Sequence, residues 1–471
     1  MEMAEKFHSS QLLLRNSDLR SLSEDFDGAN IRNINLKGDF YQKYSFNQDI
    51  EITENSRTPM YSYFIFNFLK CLKNLTVFRS SRLCDNSILQ SLSENCPLLE
   101  EVYVDICFQV DNRGVFYLCG VVPQSVEDEE ESIRLMNKSS ISKAHCCRTL
   151  KKVVFEYTLV DKIGTAFLLK HCPNLEMLYV TPDVNMGDVF VHVHGSNTDK
   201  YSDIAKRYPM KTFHSHLIID EQVFHLITVT CTLITDLTIR CNGTDRADKN
   251  ILANLLNLPL ERLFIMNCSM NSLIWFLEKK GKNLRSLTIQ HLATAFPSLN
   301  MSRTHLQQVA IMCPNLVKFS LRLSGSASIS PDVPYSYFGA NMACFTTLTH
   351  LIIEGVNLWH EDLIVLISKC TNLKILYLIC QNLEVVDDVF IYDLLANSQL
   401  NELEAMYLHR PLLTMAGLRR LIDCCPNLKS VGPLSSWAIP RKERDQLSQE
   451  IKSKNWNLNI DSPELITEFF L

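Results

Sequence analysis

The strongest constraint on this chain is a repeat. A Leu-x-x-Leu-x-Leu spacing, with apolar substitutions, recurs as Leu99-Val102-Val104, Leu150-Val153-Phe155, Leu175-Leu178-Val180, Ile234-Leu237-Ile239 and Leu260-Leu263-Ile265. It continues as Leu284-Leu287-Ile289, Leu316-Phe319-Leu321, Leu348-Leu351-Ile353, Leu373-Leu376-Leu378 and Leu403-Met406-Leu408, with weaker copies beginning at Ile31, Leu75, Met210 and Leu428. Successive starts after Leu75 are usually 24 to 32 residues apart, and the 51 residues from Leu99 to Leu150 fit two units or one unit plus an insertion. Self-similarity at such a period means stacked supersecondary units, none of which buries its apolar face alone.

The segments between these runs carry a second signature. Cys96-Pro97-Leu98-Leu99, Cys172-Pro173-Asn174-Leu175, Cys313-Pro314-Asn315-Leu316 and Cys425-Pro426-Asn427-Leu428 each lead directly into an apolar run, with Cys370-Thr371-Asn372-Leu373 and Cys147-Arg148-Thr149-Leu150 close relatives. Apolar residues stand four and usually seven positions before the Cys (Leu92 and Leu89, Val309 and Leu306, Leu366 and Leu363, Leu421 and Leu418), which places them with it on one helix face. Asp85, Asp111, Asp161 and Thr414 are good N-caps ahead of these stretches, and Pro, lacking a backbone donor, ends them. Each unit therefore reads strand, turn, helix, Cys, Pro, strand. The fold class is α/β: a leucine-rich repeat solenoid (horseshoe), with parallel strands on the concave face and helices on the convex face.

The Cys-Pro-Asn-Leu corner, the strand pattern and units near 26 residues resemble the cysteine-containing leucine-rich repeats of F-box/LRR proteins over roughly residues 31–435. The resemblance implies that the repeats hold a protein substrate. It further implies that a separate F-box links them, through a Skp-type adaptor and a cullin, to an SCF-type ubiquitin ligase. An F-box spans about 45 residues, with an early Leu-Pro and a later Trp. Residues 1–30 contain neither Pro nor Trp. They are expected to form a short N-terminal helical cap, with its helix over Gln11 to Leu22. An F-box-independent LRR adaptor or inhibitor with no ligase link is the alternative reading.

Length alone, 471 residues, suggests about three domains; the repeat replaces these with one array over 31–435, closed by a C-terminal cap over 436–471. A helix from Pro440 to Lys454, with Leu447 and Ile451 four apart, and an apolar tail containing Trp456, Leu458, Ile460, Leu465, Ile466, Phe469 and Phe470 are expected to cover the last repeat. Glu127-Asp128-Glu129-Glu130-Glu131 reads as a solvated insertion near 124–145.

Binding residues follow from strand alternation. The position between the second and third core residues of each strand points away from the core. It holds Tyr103, Val154, Tyr179, Thr238, Phe264, Thr288, Ser320, Ile352, Tyr377 and Tyr407. Half of these are aromatic, against 9% of the whole chain, and aromatic and Arg side chains are favoured protein-binding anchors. Two residues further on stand Asp105, Glu156, Arg240, Arg322, Glu354 and His409. The partner-binding set is thus Tyr103, Tyr179, Phe264, Tyr377, Tyr407, Arg240, Arg322, Glu354 and His409, unless the aromatic column only packs along its own ladder.

Other chemistry is poorly supported. The sequence has no Gly-x-Ser-x-Gly elbow, Walker A loop or Gly-x-Gly-x-x-Gly, and His360-Glu361-Asp362-Leu363-Ile364 lacks the second His of a zinc-protease helix. No enzymatic activity and no cofactor are expected. His192, His194, His214 and His216 stand at strand spacing and offer imidazoles to a zinc ion, without a carboxylate or Cys at ligand spacing; no metal site is assigned to them. The 17 Cys are odd in number and lack Cys-x-x-Cys pairs, and at least six are corners, so they report architecture. A net charge of −6 argues against nucleic acid. The most apolar run, Tyr61 to Leu72, is too short for a membrane span and includes Lys70. With no basic and apolar leader at Met1, an intracellular setting with reduced thiols is expected, cytoplasmic or also nuclear.

Overall fold

The computed structural model describes residues 31–36, 65–122, 146–194, 207–291, 301–323, 332–334, 343–355, 360–379, 386–398, 400–409, 411–454 and 456–460, and the backbone of 11–15 and 37. The chain divides into two compact units, Met1–Ile234 and Thr235–Leu471, a boundary that falls inside what the repeats read as one array.

In the first unit β1 (Gln11–Arg15), β2 (Asn33–Lys37), β3 (Val77–Ser81), β4 (Glu101–Asp105), β5 (Lys152–Glu156), β6 (Met177–Val180) and β7 (Thr212–Ile218) pair in parallel and in sequence order. Its helices among the described residues include α1 (Asn86–Asn95), α2 (Asn112–Leu118), α3 (Cys146–Thr149), α4 (Lys162–His171), α5 (Met186–His194) and α6 (Glu221–Thr230). In the second unit β8 (Asp236–Arg240), β9 (Arg262–Met266), β10 (Ser286–His291), β11 (Lys318–Leu323), β12 (His350–Glu354), β13 (Ile375–Ile379), β14 (Ala405–Leu408) and β15 (Ser430–Gly432) do the same. Its helices among the described residues include α7 (Asp245–Asn254), α8 (Met270–Lys280), α9 (Arg303–Met312), α10 (His360–Ser368), α11 (Asp388–Asn397), α12 (Met415–Cys424) and α13 (Arg441–Ser453).

Each unit is a leucine-rich repeat solenoid of the α/β class. The second and third apolar positions of the motif lie in register from strand to strand, as in Val102, Val153 and Leu178 or Leu263, Leu287 and Phe319, and these rows are buried. Neighbouring strands stand about 4.8 Å apart, whereas packed helices need 8–10 Å. That mismatch makes the strand layer the inner side of each unit; its far face is part-accessible along the first unit, whereas in the second Thr238, Thr288, Ser320 and Ile352 on its middle row are buried.

The corners explain themselves locally. Cys96, Cys172, Cys313 and Cys425 are helix C-caps whose N–H groups reach the carbonyls of Leu92, Leu168, Val309 and Leu421 at 2.8–3.0 Å. The Asn of the motif then binds backward to the preceding repeat. Asn174 Nδ2 donates to the Arg148 carbonyl at 2.6 Å, Asn315 to Lys282 at 2.8 Å, Asn372 to Thr346 at 2.5 Å and Asn427 to Asn401 at 2.8 Å. Thr149 and Thr347 replace it with a hydroxyl on Leu99 and Leu316. Each of these bonds crosses from one repeat to the one before it, so the corner fastens one unit to the next.

A second ladder fastens the helix starts. Asp85, Asp111, Asp161 and Thr414 are N-caps, as the sequence predicts. The first residue of α1 then holds the cap of α2, and the first residue of α2 holds the cap of α4. Asn86 exchanges two hydrogen bonds with Asp111, and Asn112 does the same with Asp161 while also accepting from Gly164 N–H at 3.2 Å. A Cβ at Gly114 or Gly164 would run into the Asn86 or Asn112 side chain, which is why glycine sits there.

Some expectations change. Gln11–Arg15 is a strand, not part of a helical cap; it pairs with β2 and supplies partners to a backbone edge that would otherwise lie open. Residues 16–22 fall outside the described residues. The 51-residue gap is one unit plus an insertion: β4 is followed by α2, and α3 leads into β5. The acidic run 127–131 lies outside the described residues. The C-terminal helix spans Arg441–Ser453 with Leu447 and Ile451 buried, and Asn459 forms a backbone bridge to Ser430 of β15. Leu465, Ile466, Phe469 and Phe470 lie outside the described residues. No helix among the described residues is long and apolar enough to cross a membrane.

Candidate functional site

The residues pointing away from the helices form rows on that face of each unit. In the first unit Arg79, Tyr103, Val154 and Tyr179 are in register. The Arg79 guanidinium lies 4.5 Å from the centre of the Tyr103 ring and 3.7 Å from Glu101. Glu101 also accepts from Tyr103 Oη at 3.0 Å and Lys152 Nζ at 2.7 Å. Burial opposes its charge, but Lys152, Tyr103 and Arg79 outweigh that and hold it below the usual carboxylate range. Tyr179 packs edge-on against His214 at 5.6 Å and His216 at 6.4 Å. Burial, followed by the charge of Glu156, pushes its phenol up to about 12.

The next row holds Ser81, Asp105 and Glu156. Asp105 and Glu156 face each other directly and join no ion pair among the described residues. Burial lifts both carboxyls above their ordinary range, and Asp105 lifts Glu156 further.

The second unit aligns Thr238, Phe264, Thr288, Ser320, Ile352, Tyr377 and Tyr407. Two residues on, Arg240, Met266, Gln290, Arg322, Glu354 and Ile379 form a parallel row. Arg322 reaches Glu354 at 3.5 Å and lies 5.9 Å from the centre of the Phe264 ring. Burial depresses its basicity, and Glu354 and Tyr377 partly restore it.

All nine predicted partner-binding residues lie on or beside these rows, with one correction. Tyr103, Tyr179, Phe264, Tyr377, Arg240, Arg322 and Glu354 are part-buried, and His409 is exposed at the end of its strand. Tyr407 is only 3% exposed: it packs 6.2 Å from Tyr377 and its hydroxyl donates to Ser430 Oγ at 3.1 Å. It serves packing, because a large ring beside the short terminal strand is covered by its neighbours. Arg79 and His214 were missed, although the offset that names Tyr103 from Leu99 names them from the weak copies at Leu75 and Met210.

The four histidines do not share strand geometry. His192 and His194 sit in the last turn of α5, and His194 Nε2 lies 3.1 Å from the Tyr208 hydroxyl, while His214 and His216 are on β7. One cluster of ligand-type side chains does occur among the described residues: Cys119, Cys147 and Cys172, all buried, whose sulfurs lie within 4.8 Å of one another. They are the corners of successive repeats. Thiol contacts from Cys147 and Cys172, and then burial, push the Cys119 thiol well up, so it stays protonated. Cys146 and Cys147 direct their sulfurs at the Leu118 carbonyl. That acceptor suits an S–H, whereas a metal-bound thiolate needs N–H donors around it.

No family model and no curated protein matches the sequence. Solved structures with similar architecture include the yeast Rad7–Elc1 complex, at 13% identity over 82% of this chain and 72% of that one with a TM-score of 0.38. A Leptospira interrogans LRR protein aligns at 11% identity over 90% and 89% with a TM-score of 0.36. An internalin of Listeria monocytogenes aligns at 13% over 66% and 89% with a TM-score of 0.32. At such scores nothing about function passes from them to this chain.

Proposed function

We propose that this chain is a protein-recognition scaffold, and that it serves as the substrate-binding component of an SCF-type ubiquitin ligase. The observation that carries the recognition reading is the set of exposed or part-buried aromatic and charged side chains on the face turned from the helices, the in-register Arg79–Tyr103–Val154–Tyr179 in the first unit and Phe264, Arg322 and Tyr377 in the second. Large rings and guanidinium groups that remain partly accessible on a stiff backbone bind with little ordering cost. The ligase assignment rests on the Cys-Pro-Asn-Leu corners, which resemble those of F-box/LRR proteins. Co-purification of the full chain with a Skp-type adaptor and a cullin tests it. Adaptor binding supports the receptor role; retained partner capture without adaptor binding leaves an F-box-independent scaffold. Tyr103→Ala with Tyr179→Ala is expected to weaken partner capture at least tenfold while the far-ultraviolet spectrum stays unchanged. Unchanged capture would make these rings packing residues only.

A further inference from the structure

We infer that the face of β8–β11 turned from the helices, whose part-accessible cations rim a mostly buried middle row, receives an acidic segment of the protein partner, its carboxylates held by Arg240 and Arg322 and by the Ser320 hydroxyl. This deepens the recognition reading above and rests on it.

Ser320 is the first observation. It is fully buried on the row that turns away from the helices, between Thr288 and Ile352, and its Oγ has no hydrogen-bond partner. A hydroxyl shut off from water without a partner is disfavoured, and a carboxylate oxygen would satisfy it. Arg240 is the second. Its Nε is closed to solvent with no acceptor, and among the described residues no carboxylate pairs with its guanidinium. A guanidinium is a fork of N–H donors with no acceptor capacity, and a carboxylate is its natural bidentate partner.

Charge is the third. The positions of β8–β11 on this face carry Arg240, Arg262, Lys318 and Arg322 against the single carboxylate of Asp236, which Arg262 engages at 2.8 Å. Glu354, on β12, pairs with Arg322 at 3.5 Å. This face is therefore positive in a chain whose net charge is −6. Lys318 and Arg322 flank Ser320 at i±2, about 6.6 Å along the strand. Burial lowers the basicity of both, and Arg322 adds to the effect on Lys318; an incoming anion would relieve that strain. The Arg322 guanidinium also lies 5.9 Å from the centre of the Phe264 ring. A peptide fits better than a nucleic acid, since a few cations interrupted by Glu354 do not make the long basic footprint that phosphates require.

The test is fluorescence anisotropy of the full chain with a labelled ten-residue peptide of alternating Glu and Ser. A Lys-Ser peptide and a ten-nucleotide single-stranded RNA of equal label serve as comparisons. The acidic peptide is expected to bind and the other two not. Arg240→Glu with Arg322→Glu should weaken binding at least tenfold, and Ser320→Ala three- to tenfold. Should the double reversal disturb folding, Arg240→Gln alone keeps the test open, with at least a threefold loss expected. Equal affinity across the folded variants, no binding of the acidic peptide, or tighter binding of the RNA would overturn the inference. A partner captured equally by wild type and Arg240→Gln would also overturn it and leave the recognition reading standing. Failure to capture any partner, with the peptide still bound, would instead count against that reading.

Discussion

Asp105 and Glu156 stand directly opposite each other on β4 and β5, two carboxylates in register with no cation paired to either among the described residues. Like charges so placed destabilise a sheet by up to about 1 kcal/mol. Burial raises both carboxyls, so the folded state favours their protonated forms. Stability associated with them is therefore greatest at low pH and falls as pH rises through the elevated values. Glu156→Gln should raise the unfolding free energy measured by urea denaturation at pH 7.5 by about 0.5 kcal/mol, with the gain shrinking as pH falls below the ordinary carboxylate range. A variant less stable than wild type at both extremes would show that the pair is not repulsive.

Gly164 abuts the Asn112 side chain that ties α2 to the cap of α4. Gly164→Ala should cost about 1–3 kcal/mol by overpacking, despite alanine's better helix propensity. Adding Asn112→Ala removes the obstacle and should recover part of the loss, a coupling that a double-mutant cycle in chemical denaturation measures.

Arg303 and Asp362 form the most buried ion pair among the described residues, 2.9 Å apart with side chains 9% and 1% exposed. Arg303 Nη1 also donates to the Val333 carbonyl at 2.8 Å, and Asp362 Oδ2 has no partner. Burial raises the Asp362 carboxyl and Arg303 counteracts it. Arg303→Leu should therefore cost about 3–5 kcal/mol, because it strands a buried carboxylate, while Arg303→Leu with Asp362→Leu should restore most of that. A double variant as unstable as the single one would show that the pair's worth lies in more than mutual neutralisation.

The sixteen cysteines among the described residues are all free thiols, with Cys71 and Cys344 exposed and the corner residues buried. Burial pushes Cys96, Cys313 and Cys425 up to about 12. Reactivity requires exposed thiolate. Alkylation at pH 8 followed by peptide mapping should label Cys71 and Cys344 first and the corners only on unfolding; early modification of Cys313 would contradict the packing described for its corner.

Much of the site was legible because strand alternation is strictly periodic. Counting from the repeat leucines placed Tyr103, Tyr179, Phe264 and Tyr377 on the face turned from the helices, and the same count from the weak copies would have added Arg79 and His214. Accessibility was not legible. Tyr407 and Tyr377 share a row and a residue type, yet one is covered and the other is not, since exposure depends on neighbours one strand away. His192 and His194 misled for a related reason: alternation of polar and apolar residues over a few positions suits a strand and the end of a helix alike.

Taken alone, the amino-acid order determined the repeat, the corners, the helix caps and hence the α/β solenoid, because these rest on contacts within a unit or at one fixed period. Tertiary structure decided that Gln11–Arg15 adds a strand, that Asn174 and its counterparts bind backward across repeats, and that Asp105 faces Glu156. It also decided that Ser320 is buried without a partner while cations gather beside it. Those relationships join residues more than twenty positions apart, or depend on what covers a side chain, and only packing brings them together.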